Sequence, residues 1–82
     1  METKEQVTMI VSELTRIPRE ELNPGTDIFE SRLITSLGLL ELVSRLEQKF
    51  GIIILPEELI HEHFSSIETI IGFIESKLAE AS

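Results

Sequence analysis

Ser36 stands at the head of a leucine-rich run, LITSLGLLEL at 33–42, and Asp27, His61 and His63 are the partners that a nucleophilic hydroxyl would need. Such a set suggests a triad, with an imidazole taking the serine proton and the carboxylate orienting the ring. The surrounding pattern argues against an enzyme. Neither a G-x-S-x-G elbow nor a glycine-rich oxyanion loop accompanies the serine. HEH at 61–63 is a poor metal site, because positions two apart on a helix do not share a face, unlike the histidines of H-E-x-x-H. The stretch NPGTD at 23–27 lacks the acids and terminal glutamate of a calcium loop and reads as a turn. The chain has no cysteine, which excludes disulfides, thiolate zinc sites and cysteine nucleophiles. The histidines read as solvated groups near a helix end.

Ser36 has two readings of its own. Serine is a favoured helix cap, and a capping serine needs no further role. Thr35 can take that role instead, leaving Ser36 at the first helical position with its hydroxyl directed outward. A helix N-terminus attracts anions through its unpaired amides and its dipole, so a phosphate ester on Ser36 would suit the position. The residues alone favour the plainer reading and leave the other open.

Four helical stretches position these groups. Thr3 and Gln6 form a T-x-x-Q capping box, and Val7, Ile10, Val11 and Leu14 recur on one helical face to about Arg16. Pro18 ends that helix. A long loop over 17–35 follows, with turn chemistry at NPGTD and a short helical turn at PREEL. Leu22, Ile28, Phe29, Leu33 and Ile34 are spaced to pack it over the core. The second helix is expected over 36–50, closed by Gly51 in the left-handed conformation with Ile52 as the contact beyond it. IIIL at 52–55 has no second strand to pair with and reads as a buried connection. Pro56 opens a short third helix, with Glu57 and Glu58 near its positive end. Ser65 and Glu68 form an S-x-x-E box before a last helix striped by Ile67, Ile70, Ile71, Ile74 and Leu78. The expected fold is an all-α four-helix bundle, three main helices plus one short third helix, in a single domain over 1–82.

At about 100° per residue, Leu39, Leu42, Val43, Leu46 and Phe50 share the core side of the second helix. Leu37 falls opposite them, beside Glu41 and Ser44, and Leu40 lies on the flank. An exposed leucine directly after an exposed serine suggests a contact surface.

Composition narrows the partners. A chain of 82 residues has one small core and little room for a deep cleft. Seven basic against fifteen acidic residues, a formal net of −8, would repel nucleic acid. Four phenylalanines without tryptophan or tyrosine leave little for bases to stack on. No apolar segment approaches the ~20 residues that cross a bilayer, and without a positively charged stretch and apolar run at residues 1–20 no secretory signal is expected. A cytoplasmic monomer is expected. The acids point to partners with basic docking surfaces, or simply to solubility. They are uneven: residues 36–50 balance Glu41 and Glu47 against Arg45 and Lys49, whereas 51–68 carry Glu57, Glu58, Glu62 and Glu68 with no lysine or arginine.

DIFESRLITSLGLLELVSRLEQKFGIIILPEEL at 27–59 resembles the phosphopantetheine-binding motif of acyl carrier and peptidyl carrier proteins. Ser36 and Leu37, the apolar second helix, the closing FGI and the proline-acid start of the third helix all match. HFSSIETIIGFI at 63–74 is similar to the family's last helix, and DIFES looks like the D-alanyl carrier branch. Two positions depart from the pattern. Thr35 replaces the aspartate that usually precedes the serine, and Arg32 stands where a glycine is common.

The resemblance implies a stand-alone carrier for fatty acid, polyketide or lipid biosynthesis. A phosphopantetheinyl transferase would place 4'-phosphopantetheine from coenzyme A on Ser36 using Mg²⁺. Acyl or aminoacyl groups would then ride on the arm's thiol as thioesters, presented to acyl-loading and acyl-using enzymes. Thr35, Leu37, Leu40, Glu41, Glu57 and Glu58 are the expected recognition residues. The rival expectation is a non-covalent helical adaptor with no prosthetic group, using the same fold and surface.

Overall fold

The computed structural model describes residues 3–28, 30–31 and 34–81. Phe29, Arg32 and Leu33 lie outside the described residues, so the expectations placed on them are not tested. Helix α1 spans Thr3–Thr15, a 3₁₀ turn Arg19–Glu21, α2 Ser36–Phe50, a second 3₁₀ turn Pro56–Glu58, α3 His61–Phe64 and α4 Ile67–Ala81. The arrangement is all-α, with the long loop between α1 and α2 and no strand among the described residues. α1 packs against both α2 and α4, and α3 packs against α4.

The stripe of α1 goes where its spacing directs it: Val7, Ile10 and Val11 are buried and Leu14 packs against them. The helix already includes Thr3, the residue expected to cap it. It ends in a way that Pro18 alone does not explain. Arg16 takes the left-handed conformation, φ 62°, and its N–H bonds the Ser12 carbonyl at 2.8 Å. Ser12 Oγ then donates to the Ile17 carbonyl at 2.6 Å, closing the corner.

The loop is held by its backbone. Asn23 Oδ1 accepts the Gly25 N–H at 2.9 Å, the expected asparagine turn. The Pro24 carbonyl accepts the Glu68 N–H at 3.0 Å, and the Ile28 N–H bonds the Ser65 carbonyl at 2.8 Å. Ile28 and Ile34 are buried, so the loop covers the core beside the start of α4.

Three local expectations need correction. The last helix is capped by Ser66, not Ser65: Ser66 Oγ accepts the Thr69 N–H at 3.3 Å, and Thr69 Oγ1 accepts the Ser66 N–H at 3.0 Å. That is the reciprocal geometry of a capping box with threonine in the glutamate's place. Pro56 opens a 3₁₀ turn, and the short α-helix begins at His61. Residues 52–55 are not all buried. Ile52 and Ile54 enter the core at 8% and 7% exposure, while Ile53 and Leu55 face out at 73% and 44%. This is the alternation of an extended chain. Glu47 Oε2 holds it in place by accepting the Ile54 N–H at 2.8 Å.

Candidate functional site

α2 begins as its residues dictate. Thr35 is extended, φ −95° and ψ 179°, and its side-chain oxygen accepts the Gly38 N–H at 3.3 Å. The Leu39 N–H reaches the Thr35 carbonyl at 2.9 Å, the first helical bond. Thr35 therefore caps, and Ser36 is the first helical residue. Ile34 lies buried beneath this turn, and a Cβ added to Gly38 would meet its Cγ2 at 3.1 Å. Ser36 faces the other way and is exposed. No hydrogen bond among the described residues engages its hydroxyl. The first turn of α2 carries no acid. An anion on Ser36 would thus meet the positive helix end with no neighbouring carboxylate in that turn.

The surface beyond Ser36 is apolar. Leu37 and Leu40 are 79% and 59% exposed, as the helical geometry predicts. Glu41 is exposed but engaged: Arg45 bridges it at 3.4 Å to Glu13 of α1 at 3.2 Å. Glu57 is exposed as well.

Glu58 has a different role. Its Oε1 lies 2.8 Å from Lys77 Nζ of α4 and accepts the Leu55 N–H at 2.9 Å. The bond from Lys77, then the Leu55 N–H, hold its carboxyl below the usual carboxylate range. Both side chains of the pair are largely covered, so Glu58 ties the second 3₁₀ turn to α4. A glutamate and a lysine so far apart in sequence gave no signal of this pairing.

Of the imagined triad, two members meet. His61 Nε2 is 2.9 Å from Asp27 Oδ2, but no hydrogen bond among the described residues joins Ser36 to either. His63 turns instead onto Phe73, its ring stacked at a centroid distance of 4.6 Å. Among the described residues no group of three histidines and acids could hold a metal ion. Beside this pair Leu39, Leu59, Ile60, His61 and Phe64 line an open apolar recess of about 300 Å³.

Comparison with known proteins agrees with this geometry. The family described as "Phosphopantetheine attachment site" matches residues 5–74. An acyl carrier protein of Helicobacter hepaticus is 33% identical over 76 residues, covering 93% of this chain and 97% of its own. A D-alanyl carrier protein of Bacillus velezensis is 30% identical over 72 residues, covering 88% and 92%. A second D-alanyl carrier protein, from Abiotrophia defectiva, is 27% identical over 78 residues. A solved structure described as "Crystal structure of FAD-dependent dehydrogenase" contains a chain that superposes with a TM-score of 0.71 at 25% identity, covering 83% of this chain and 96% of that one. The chain belongs to the phosphopantetheine attachment family, and is a small all-α acyl or aminoacyl carrier domain near the D-alanyl carrier branch.

Proposed function

We propose that Ser36 Oγ is the point at which phosphopantetheine is attached. The observation that carries this reading is the division of roles at the start of α2, where Thr35 caps and leaves the Ser36 hydroxyl exposed. A hydroxyl that also capped the helix would be costly to esterify; this one is not so committed. In the transfer, the Ser36 oxygen bonds to the phosphorus that bears the pantetheine, and the pyrophosphate link of coenzyme A breaks. The adenosine bisphosphate half leaves, and the serine proton passes to a base of the transferase. When bound, the arm supplies a thiol, which this cysteine-free chain lacks, to hold cargo as a thioester.

The chain's own part is presentation and recognition. Leu37 and Leu40 offer apolar anchors beside Ser36, and Thr35 lies next to it on the surface. Glu57 and Glu62 are exposed acids with which a basic docking surface of a transferase or loading enzyme would pair. Glu41, already shared with Arg45, is a weaker docking acid, and Glu58 serves the fold. The setting proposed is the cytoplasm, where coenzyme A is available. The D-alanyl carrier relatives make a small aminoacyl group the first cargo to test.

Intact-mass measurement after incubation with coenzyme A and a broad-specificity transferase tests the assignment. One added phosphopantetheine, absent in Ser36→Ala, is expected. A wild-type chain that gains no mass would favour the non-covalent adaptor.

A further inference from the structure

An open cleft of about 420 Å³ runs between α1 and the C-terminal half of α2, away from the recess beside α3. From α1 its lining includes Met9, Ile10 and Glu13, which helical spacing puts on one side of that helix. From α2 it takes Arg45, Gln48 and Lys49, again one side. Ile10 is buried and gives the cleft an apolar floor, and Met9 beside it is 37% exposed. An unbranched thioether in that position adapts to the shape of an apolar guest.

The charges here run against those of the chain as a whole. The formal net is −8, yet two bases and one acid line this cleft. Arg45 is shared between Glu13 at 3.2 Å and Glu41 at 3.4 Å. Lys49, one turn further along α2, is exposed and has no ion pair among the described residues. Its ammonium is therefore open to an incoming carboxylate, while its stem can cover apolar surface.

We propose that this cleft is a second docking site, and that its occupant is an acidic amphipathic helix of a partner protein. An apolar side chain of that helix lies over Met9 and Ile10, and a carboxylate meets Lys49. Two helices packed side by side leave a groove that a third can follow. A second copy of this chain is the poorer occupant, because two molecules of net charge −8 repel. The partner differs in sign from the basic docking surfaces that suit Glu57 and Glu62. It also sits away from the attachment end: at about 1.5 Å per residue, Lys49 is roughly 20 Å along α2 from Ser36. A helix in the cleft holds the chain while Ser36, Leu37 and Leu40 stay exposed. This use rests on the proposed function, whereas occupancy of the cleft does not.

NMR titration of the unmodified protein at physiological salt tests it. The probe is an acetylated helical peptide that repeats Leu-Leu-Glu-Glu, beside a version with glutamine for every glutamate. The acidic peptide is expected to shift the amides of residues 6–13 and 45–49. Lys49→Gln is expected to weaken the acidic peptide about two- to five-fold, the worth of one exposed ion pair, and to leave the glutamine version unchanged. Met9→Gln, which keeps the length of the side chain but makes it polar, is expected to weaken both. Shifts centred on residues 36–40 or 59–64, equal losses for the two peptides in Lys49→Gln, or no binding at millimolar peptide would overturn the proposal. Amide shifts that depend on protein concentration without peptide would make a second copy the occupant and overturn it as well. Coenzyme A and transferase are absent throughout, so the outcome is independent of the attachment assay.

Discussion

Thr35 Oγ1 accepts the Gly38 N–H at 3.3 Å, and this bond across the first turn of α2 separates the stability of the helix from the availability of Ser36. Thr35→Ala should cost about 1 kcal/mol, the usual worth of a side-chain cap. In a chain of this size that lowers the melting temperature by about 4–8 °C. Ser36→Ala should stay within about 0.5 kcal/mol of wild type. Thermal melts of the two variants check the division; equal losses would show that Ser36 shares the capping role.

The missing carboxylate beside Ser36 is testable in the same place. Thr35→Asp should keep the cap, since both residue types serve there. It should also quicken modification if the transferase reads an acid at that position. Initial rates with several transferases measure this, and equal rates would remove Thr35 from recognition.

Recognition should divide between anchors and acids. Leu37→Ala leaves no cavity, because the side chain is 79% exposed, yet an anchor buried at an interface could be worth ~1–2 kcal/mol. Partner dissociation should accelerate with little change in salt sensitivity. Reversal of the exposed Glu57 and Glu62 to lysine should instead slow association and flatten its dependence on ionic strength. Stopped-flow binding at several salt concentrations separates the two effects. Glu58 is left out of the reversal because Lys77 holds it.

That ion pair has its own signature. The folded-state pKa of Glu58 is depressed, so its contribution to stability is present above the unfolded carboxylate range and is lost as pH falls through the folded value. Glu58→Gln retains an acceptor for the Leu55 N–H but loses the attraction to Lys77. Urea midpoints of wild type should therefore fall more steeply than those of the variant as pH is lowered from neutrality. Parallel curves would mean that the pair contributes nothing.

Arg16 offers a stabilising change. A left-handed non-glycine residue costs roughly 1–2 kcal/mol, and glycine recovers this less its own greater freedom in the unfolded chain. Arg16 has φ 62°, and among the described residues no hydrogen bond or ion pair engages its side chain. Arg16→Gly should raise stability by roughly 0.5–1 kcal/mol. Denaturant titration measures it, and a loss would show that the arginine side chain supports the corner.

Local chemistry determined the start and end of α2, the core stripes of α1 and α4, the turn at NPGTD and the outward direction of Leu37. Each follows from helical periodicity or from a cap formed by residues a few positions apart. The prominence of Ser36 was likewise legible, because Thr35 stands next to it. What the sequence could not determine were the contacts between segments distant along the chain. Ser65 and Ser66 are equally good caps in isolation. The choice fell to Ser66 where its hydroxyl and Thr69 exchange bonds, beside the loop that takes the Ser65 carbonyl and the Glu68 N–H. Glu58 read as a docking acid until the bundle brought Lys77 beside it, 19 residues on. Asp27 and His61 suggested catalysis until the fold joined them without Ser36. Ile53 was expected inside, but an extended connection alternates its faces, and the core lies on one side only. Periodicity tells which side of an element is apolar; only the packing of the elements brings distant charges together.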